Sequence, residues 1–130
     1  MIEVAAGVIR DDKGRVLLCR RTGAHAGMWE FPGGKREAGE SFADCLTREL
    51  REELELDVTA GERLFETEIA DGERMLRLVF LAASADMGQR IVLHAHSEFA
   101  WVEPSEVAAY PLCGADALFA QTALADERTC

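Results

Sequence analysis

Apolar residues at the start of the chain come at mixed spacing over residues 2–9, stop at the turn-like Asp11-Asp12-Lys13-Gly14 and resume at Val16-Leu17-Leu18-Cys19. That pattern predicts a hairpin of partly buried strands. The period changes after Ser41, where Phe42, Leu46, Leu50 and Leu54 form the apolar stripe of a helix. The Ser41 hydroxyl can cap it, with Asp44 in the capping-box position, and the helix is expected to end near Leu54. Residues 64–69 and 75–82 flank Ala70-Asp71-Gly72-Glu73 and read as a second hairpin, and residues 91–93 and 99–102 read as shorter strands. Pro104-Ser105-Glu106 can open a short helix. Residues 115–125, with Leu118, Phe119 and Leu124, suit a closing amphipathic helix, and the tail beyond it is expected to fray. Strands interrupted by one central and one terminal helix predict a mixed α/β layered domain.

Between Thr22 and Gly39 the periodicity is lost, and five of the eleven glycines surround Trp29-Glu30-Phe31-Pro32-Gly33-Gly34. A shaped loop of this length is often functional. The 130 residues, 48% of them hydrophobic, suffice for one domain with a real core, residues 1–130. No basic segment precedes an apolar run and no long apolar stretch occurs, so a cytoplasmic protein without membrane contact is expected. Cys19, Cys45, Cys113 and Cys130 are scattered without a CxxC pair, which suits incidental thiols better than a zinc site or a disulfide framework. The formal net charge of −10 argues against binding a nucleic-acid polymer through its backbone. A phosphate-bearing substrate would need divalent cations to reverse the local field.

The candidate chemistry lies on the central helix. In Arg48-Glu49-Leu50-Arg51-Glu52-Glu53 the glutamates at 49, 52 and 53 are related by i, i+3 and i+4 and share one helix face. Three carboxylates together repel one another unless a cation is present, and Mg²⁺ takes oxygen ligands of this kind. From the helix alone, a solvated face paired with Arg48 and Arg51 explains the pattern as well. The register with the preceding loop separates the two readings: Gly34, five residues, Glu40, seven residues, Arg48-Glu49-Leu50, one residue, Glu52-Glu53. This long gapped pattern resembles the Nudix box. It departs from the box at Glu55, which stands where the family has a glycine at the helix exit.

The resemblance extends more loosely to the Trp29–Lys35 segment and to Trp101-Val102-Glu103-Pro104, and it points to the branch of MutT-type 8-oxo-dGTP diphosphatases and CTP pyrophosphohydrolases. It implies a Nudix α/β/α sandwich with a mixed sheet and a loop–helix–loop catalytic motif. It also implies Mg²⁺, with Mn²⁺ as a substitute, held by Glu49, Glu52, Glu53 and the Gly33 carbonyl. Glu40 and Glu49 are both eligible to orient or deprotonate the attacking water. Arg48 is assigned to locking loop and carboxylates by ion pairing.

On the substrate side the resemblance implies Arg21, His25, Glu30 and Asp116, with Asp116 reading a base edge or, alternatively, capping or charging the first turn of the last helix; Phe31 or Trp29 can stack on a base or serve as the loop's own hydrophobic anchor, with Phe31 favoured for stacking. Members of this branch often carry a further metal-ligating glutamate before a histidine near the fifth strand. Here that position is Ala95, followed by His96, so either Glu98, three residues away, or water substitutes, or one metal binds more weakly. A soft-metal pair of His94 and His96 is disfavoured, because two histidines without a third ligand are commonly structural or solvent-facing.

The implied activity is a nucleoside triphosphate pyrophosphohydrolase releasing the monophosphate and pyrophosphate, in nucleotide-pool sanitation, by a monomer or weak homodimer. The competing readings are hydrolysis of ADP-ribose, dinucleoside polyphosphates or nucleotide sugars, and a non-catalytic nucleotide-binding module.

Overall fold

The computed structural model describes residues 1–124. Strand β1 (Ile2–Arg10) sends Ala6 and Val8 to one side of a sheet and Ala5 and Ile9 to the other. Its neighbours alternate in the same way, as the two-residue repeat of a strand requires. In β2 (Val16–Arg21) Val16 and Leu18 join the first apolar layer, and Leu17 and Cys19 the second. In β6 (Arg74–Ala85) Leu78 and Phe80 face one way, and Val79, Leu81 and Ala83 the other. A sheet buried on both faces needs a cover on each.

Helix α1 (Phe42–Leu54) covers one face with Cys45, Leu46, Leu50 and Leu54. Helix α2 (Gly114–Gln121) and a 3₁₀ helix (Pro104–Ala109) cover the other with Ala115, Phe119, Ala120 and Val107. The arrangement is an α/β/α sandwich, and no helix among the described residues is long and apolar enough to cross a membrane.

The sheet is mixed. β1 runs parallel to β6 along its whole length, and β6 pairs antiparallel with β5 (Val58–Asp71). The other edge of β1 is shared, pairing with β4 (Gly33–Lys35) at Val4–Ala6 and with β2 at Arg10. β2 in turn carries β3 (Trp29–Glu30) and β7 (His96–Val102).

Two departures from the periodicity matter for the site. The glycine-rich stretch contains the short strands β3 and β4, because β1 and β2 offer edges that pair with it. Residues 91–93 form no strand: the Val92 and His94 amides donate to the Leu54 and Glu53 carbonyls, 2.9 and 3.0 Å away, while Ile91 and Leu93 pack under α1. Their apolar character is used for burial, and their amides satisfy carbonyls that the helix end leaves free. β5 also starts six residues earlier than its apolar run, through register shifts between Ala60 and Phe65. The closing helix begins at Gly114 and ends at Gln121, short of the expected Ala125, because Thr122 leaves the helical conformation; Ala125 itself and the frayed tail lie outside the described residues.

Candidate active site

Helix α1 begins as its sequence requires: the Ser41 hydroxyl accepts from the Asp44 amide at 3.0 Å. The helix then presents Arg48 to a ring of acceptors. Its guanidinium donates to both Glu40 oxygens at 2.6 and 3.0 Å, to Glu49 Oε1 at 2.9 Å, to Glu52 Oε2 at 3.3 Å and to the Lys35 carbonyl at 3.0 Å. The fork geometry of arginine makes such multiple binding specific. The Glu40 carbonyl is held from the other side by Arg36 at 2.8 Å. Hydrogen bonding from Arg48 lowers the Glu40 carboxyl to about 2. A carboxylate held so strongly in its ionised form is a poor proton acceptor, and the geometry places Glu40 in the brace around Arg48.

The loop reaches the helix because two glycines allow it. A Cβ on Gly33 would lie 1.9 Å from the Ala5 carbonyl oxygen, and one on Gly34 would lie 2.3 Å from the Glu49 carboxyl carbon. Any side chain there would separate β4 from β1 or push Glu49 off its position. Gly33, the expected carbonyl ligand, thus sits one residue from the point where the loop touches Glu49.

Glu53 is in a different state. Its Oε2 is buried without a hydrogen-bond partner. Burial, followed by the neighbouring charge of Glu49, raises its carboxyl to about 7; Glu30 adds to the rise and His96 opposes it. Glu52 is exposed and is held only by Arg48 among these groups. Among the described residues no three His, Cys, Asp or Glu side chains are already drawn together at ligating distance. The donor set nevertheless fits a hard cation: an orphaned carboxylate oxygen beside a second carboxylate is short of positive charge, and oxygen is the donor Mg²⁺ prefers.

Above the helix, β2, β3 and β7 build a second polar group. Glu30 stands between Arg21, whose Nη1 is 3.4 Å from Oε1, and His96, whose Nε2 is 2.8 Å from Oε2. His96 is 4% exposed at its side chain, and its Nδ1 is buried with no partner. Next to this group, Trp29 bridges to the segment before α2, its amide donating to Pro111 and its carbonyl accepting from Cys113, and its ring meets Tyr110 edge-on at 5.1 Å.

Asp116 lies beneath them, with Oδ1 accepting the Phe31 amide at 2.9 Å. Burial raises its carboxyl to about 7, partly offset by that bond. It ties the loop to α2, a role neither of the expected ones had included.

Several sequence expectations change here. Phe31 is 2% exposed and packs edge-on against Phe80 and Phe119, so its ring belongs to the core and has no free face for a base. Glu98, the expected substitute for the carboxylate missing at Ala95, is exposed and engaged with Arg20 at 2.7 Å. His25 sits on an exposed loop with a left-handed backbone, φ 60°. His94 pairs outward with Glu55 at 2.5 Å. Glu55 itself takes the left-handed cap conformation, φ 53°, so the turn that glycine would favour forms without it. The convergence of His96 on Glu30 was missed. Alternation along β7 carried the only signal, and a register shift between Arg20 and Arg21 obscured it.

Comparison with known proteins places this geometry in context. A family profile described as "NUDIX domain" matches residues 1–122. The chain is 40% identical over 122 residues to a protein of Escherichia coli strain K12 named CTP pyrophosphohydrolase, covering 89% of this chain and 86% of that one. It is 47% identical over 60 residues to a Proteus vulgaris protein named 8-oxo-dGTP diphosphatase, covering 45% of this chain and 54% of that one. Among solved structures, it is similar to the E. coli ORF135 protein, with a TM-score of 0.85 and 35% identity over 98% of this chain and 91% of the other.

Proposed function

The chain belongs to the Nudix family, and from that premise we propose that it is a nucleoside triphosphate pyrophosphohydrolase that releases a nucleoside monophosphate and pyrophosphate. It is a hydrolase of phosphoric anhydride bonds, and the relatives named for CTP and 8-oxo-dGTP make cytosine and oxidised purine nucleotides the leading substrates. The observation that carries the reading is the buried, unpartnered Oε2 of Glu53 beside Glu49, on a helix where Arg48 already serves Glu49 and Glu52.

Glu49, Glu52, Glu53 and the Gly33 carbonyl would hold Mg²⁺ or, in its place, Mn²⁺. When bound, the cation supplies charge neutralisation at the phosphate oxygens and an acidified water. The chain's own residues do the rest. Arg48 and Glu40 keep the loop and helix in register, so that Glu49 stays against Gly34. With Glu40 committed to Arg48, Glu49 is the better placed of the two to orient the attacking water and receive its proton. Arg21 offers a guanidinium at the substrate side, restrained by Glu30. The wall of Trp29, Tyr110 and Asp116 borders the region where a base would lie, and Asp116, neutral near pH 7 for part of the time, can present either a donor or an acceptor to a base edge. The role this supports is nucleotide-pool sanitation in the cytoplasm, on small nucleotides and not on nucleic-acid polymers.

The test is a Mg²⁺-dependent hydrolysis panel of CTP, dCTP, 8-oxo-dGTP, dGTP, ADP-ribose and diadenosine polyphosphates, scored by kcat/KM and product identity. Pyrophosphate released preferentially from a triphosphate supports the proposal. Preference for ADP-ribose or a dinucleotide keeps the catalytic helix and replaces the substrate, and no hydrolysis of any member returns the chain to a binding module.

A further inference from the structure

Two buried polar atoms without a partner, Glu53 Oε2 and His96 Nδ1, lie on neighbouring parts of the molecule. The turn of α1 that carries Glu53 is tied to the start of β7 by the His94 amide, which donates to the Glu53 carbonyl at 3.0 Å. His96, two residues further on, turns its ring inward to Glu30, while His94 turns outward to Glu55. The polarity of the His96 ring follows from its one partner. A carboxylate only accepts, so His96 Nε2 carries the proton donated to Glu30 Oε2 at 2.8 Å, and in the neutral ring Nδ1 then presents a bare lone pair. A carboxylate–histidine pair with the second nitrogen free is the arrangement that orients imidazole toward a metal.

We propose that His96 Nδ1 is a ligand of the divalent cation held by Glu53 and its neighbouring glutamates, and that this nitrogen tilts the site from Mg²⁺ toward Mn²⁺. The inference rests on the carboxylate site proposed above. An imidazole adds little for Mg²⁺, which prefers oxygen, and more for a first-row transition ion. Glu30 is then a positioning residue, fixing the tautomer and aim of the ring, with Arg21 restraining Glu30 in turn. Ala95 contributes no side-chain donor, and its carbonyl is occupied by the Thr22 hydroxyl at 2.8 Å.

The chain has three histidines, His25, His94 and His96, so the ligand can be assigned. The experiment uses full-length protein freed of metal by chelation, with Mn²⁺ alone as the probe, read by pulsed electron paramagnetic resonance for directly coordinated nitrogen. A ¹⁴N coupling is expected in the wild type, converted to the ¹⁵N pattern by ¹⁵N-histidine labelling. It should be retained in His25→Gln and His94→Gln and lost in His96→Gln. Mn²⁺ affinity should fall about tenfold in His96→Gln, with a smaller change for Mg²⁺.

Mn²⁺ bound with an affinity sensitive to Glu53→Gln but without histidine nitrogen coupling would overturn the proposal and leave the carboxylate site standing, with water between the two orphaned atoms. Coupling that survives in His96→Gln would overturn it equally. If Glu53→Gln leaves Mn²⁺ binding unchanged, the carboxylate reading falls and this inference with it. Should His96→Gln fail to fold, the labelled wild type and the two other variants still decide.

Discussion

The two ends of the acidic cluster on α1 differ in how their charge is balanced. Around Arg48, five acceptor oxygens converge on one guanidinium, so that Glu40, Glu49 and Glu52 each have a hydrogen-bond donor within the protein. One turn later, Glu53 is half-buried beside Glu49 and near Glu30, with one buried oxygen unsatisfied and its carboxyl raised to about 7. The first region is a satisfied hydrogen-bond network, and the second carries an unsatisfied acceptor. Charge left uncompensated in a folded protein marks the place where a ligand is expected, whereas a satisfied ion-pair network with the same residue types marks a brace.

The largest effect should come from the uncompensated end. Glu53→Gln is expected to lower kcat by about 10²–10³-fold or more while leaving the melting temperature at pH 8 unchanged or higher, because a buried unpaired charge is removed. Full turnover in this variant would end the distinction between the two regions. Arg48→Gln should show the opposite balance. Global stability drops by about 1–2 kcal/mol, allowing for the partial exposure of the network, and turnover falls less than in Glu53→Gln. Denaturant unfolding and kcat measured on both variants would show whether loss of stability and loss of activity separate as described.

Asp116 tests the same idea on the other face. Its folded carboxyl is raised from the ordinary 3.8 to about 7, mainly by burial. Between these values the folded chain keeps a proton that the unfolded chain has lost. Stability from this group is therefore present at acid pH, falls as pH rises from about 4 to 7, and is flat above. Asp116→Asn keeps an acceptor for the Phe31 amide without this penalty. It should equal the wild type near pH 4 and exceed it at pH 8 by on the order of a few kcal/mol. A stability difference independent of pH would contradict the assignment.

The smallest effect is predicted at Glu55. Glu55→Gly relieves a left-handed backbone worth about 1 kcal/mol but loses an exposed pair with His94 worth about 0–1 kcal/mol, so the net change should stay within about 1 kcal/mol. A larger loss would show that the His94 contact holds the 91–94 segment against α1.

Features that depend on neighbours along the chain were legible beforehand. The Ser41 cap, the Leu46–Leu50–Leu54 stripe, the helix end at Leu54 and the common face of Glu49, Glu52 and Glu53 all follow from the 3.6-residue repeat, and the spacing from Gly34 to Glu53 carried the family. Strand-like apolar runs interrupted by one central and one terminal helix likewise announced a layered α/β domain. What failed were statements about which partner a residue would find. Residues 91–93 have the composition of a strand, but their amides meet the end of a helix. Phe31 has the look of a stacking aromatic, but two phenylalanines from β6 and α2 enclose it.

The sequence by itself determined the two helices, the apolar runs of the principal strands and a helix face crowded with carboxylates, because each arises from dihedral preferences and side-chain spacing within a few residues. Only the tertiary structure decided that Glu40 serves Arg48, that Phe31 belongs to the core, and that Glu30 and His96, 66 residues apart, meet 2.8 Å from each other beside Glu53. The reason is physical. Hydrogen bonds and desolvation act over a few ångströms in space, and which groups come that close is settled by the register of strands and the packing of layers, not by distance along the chain.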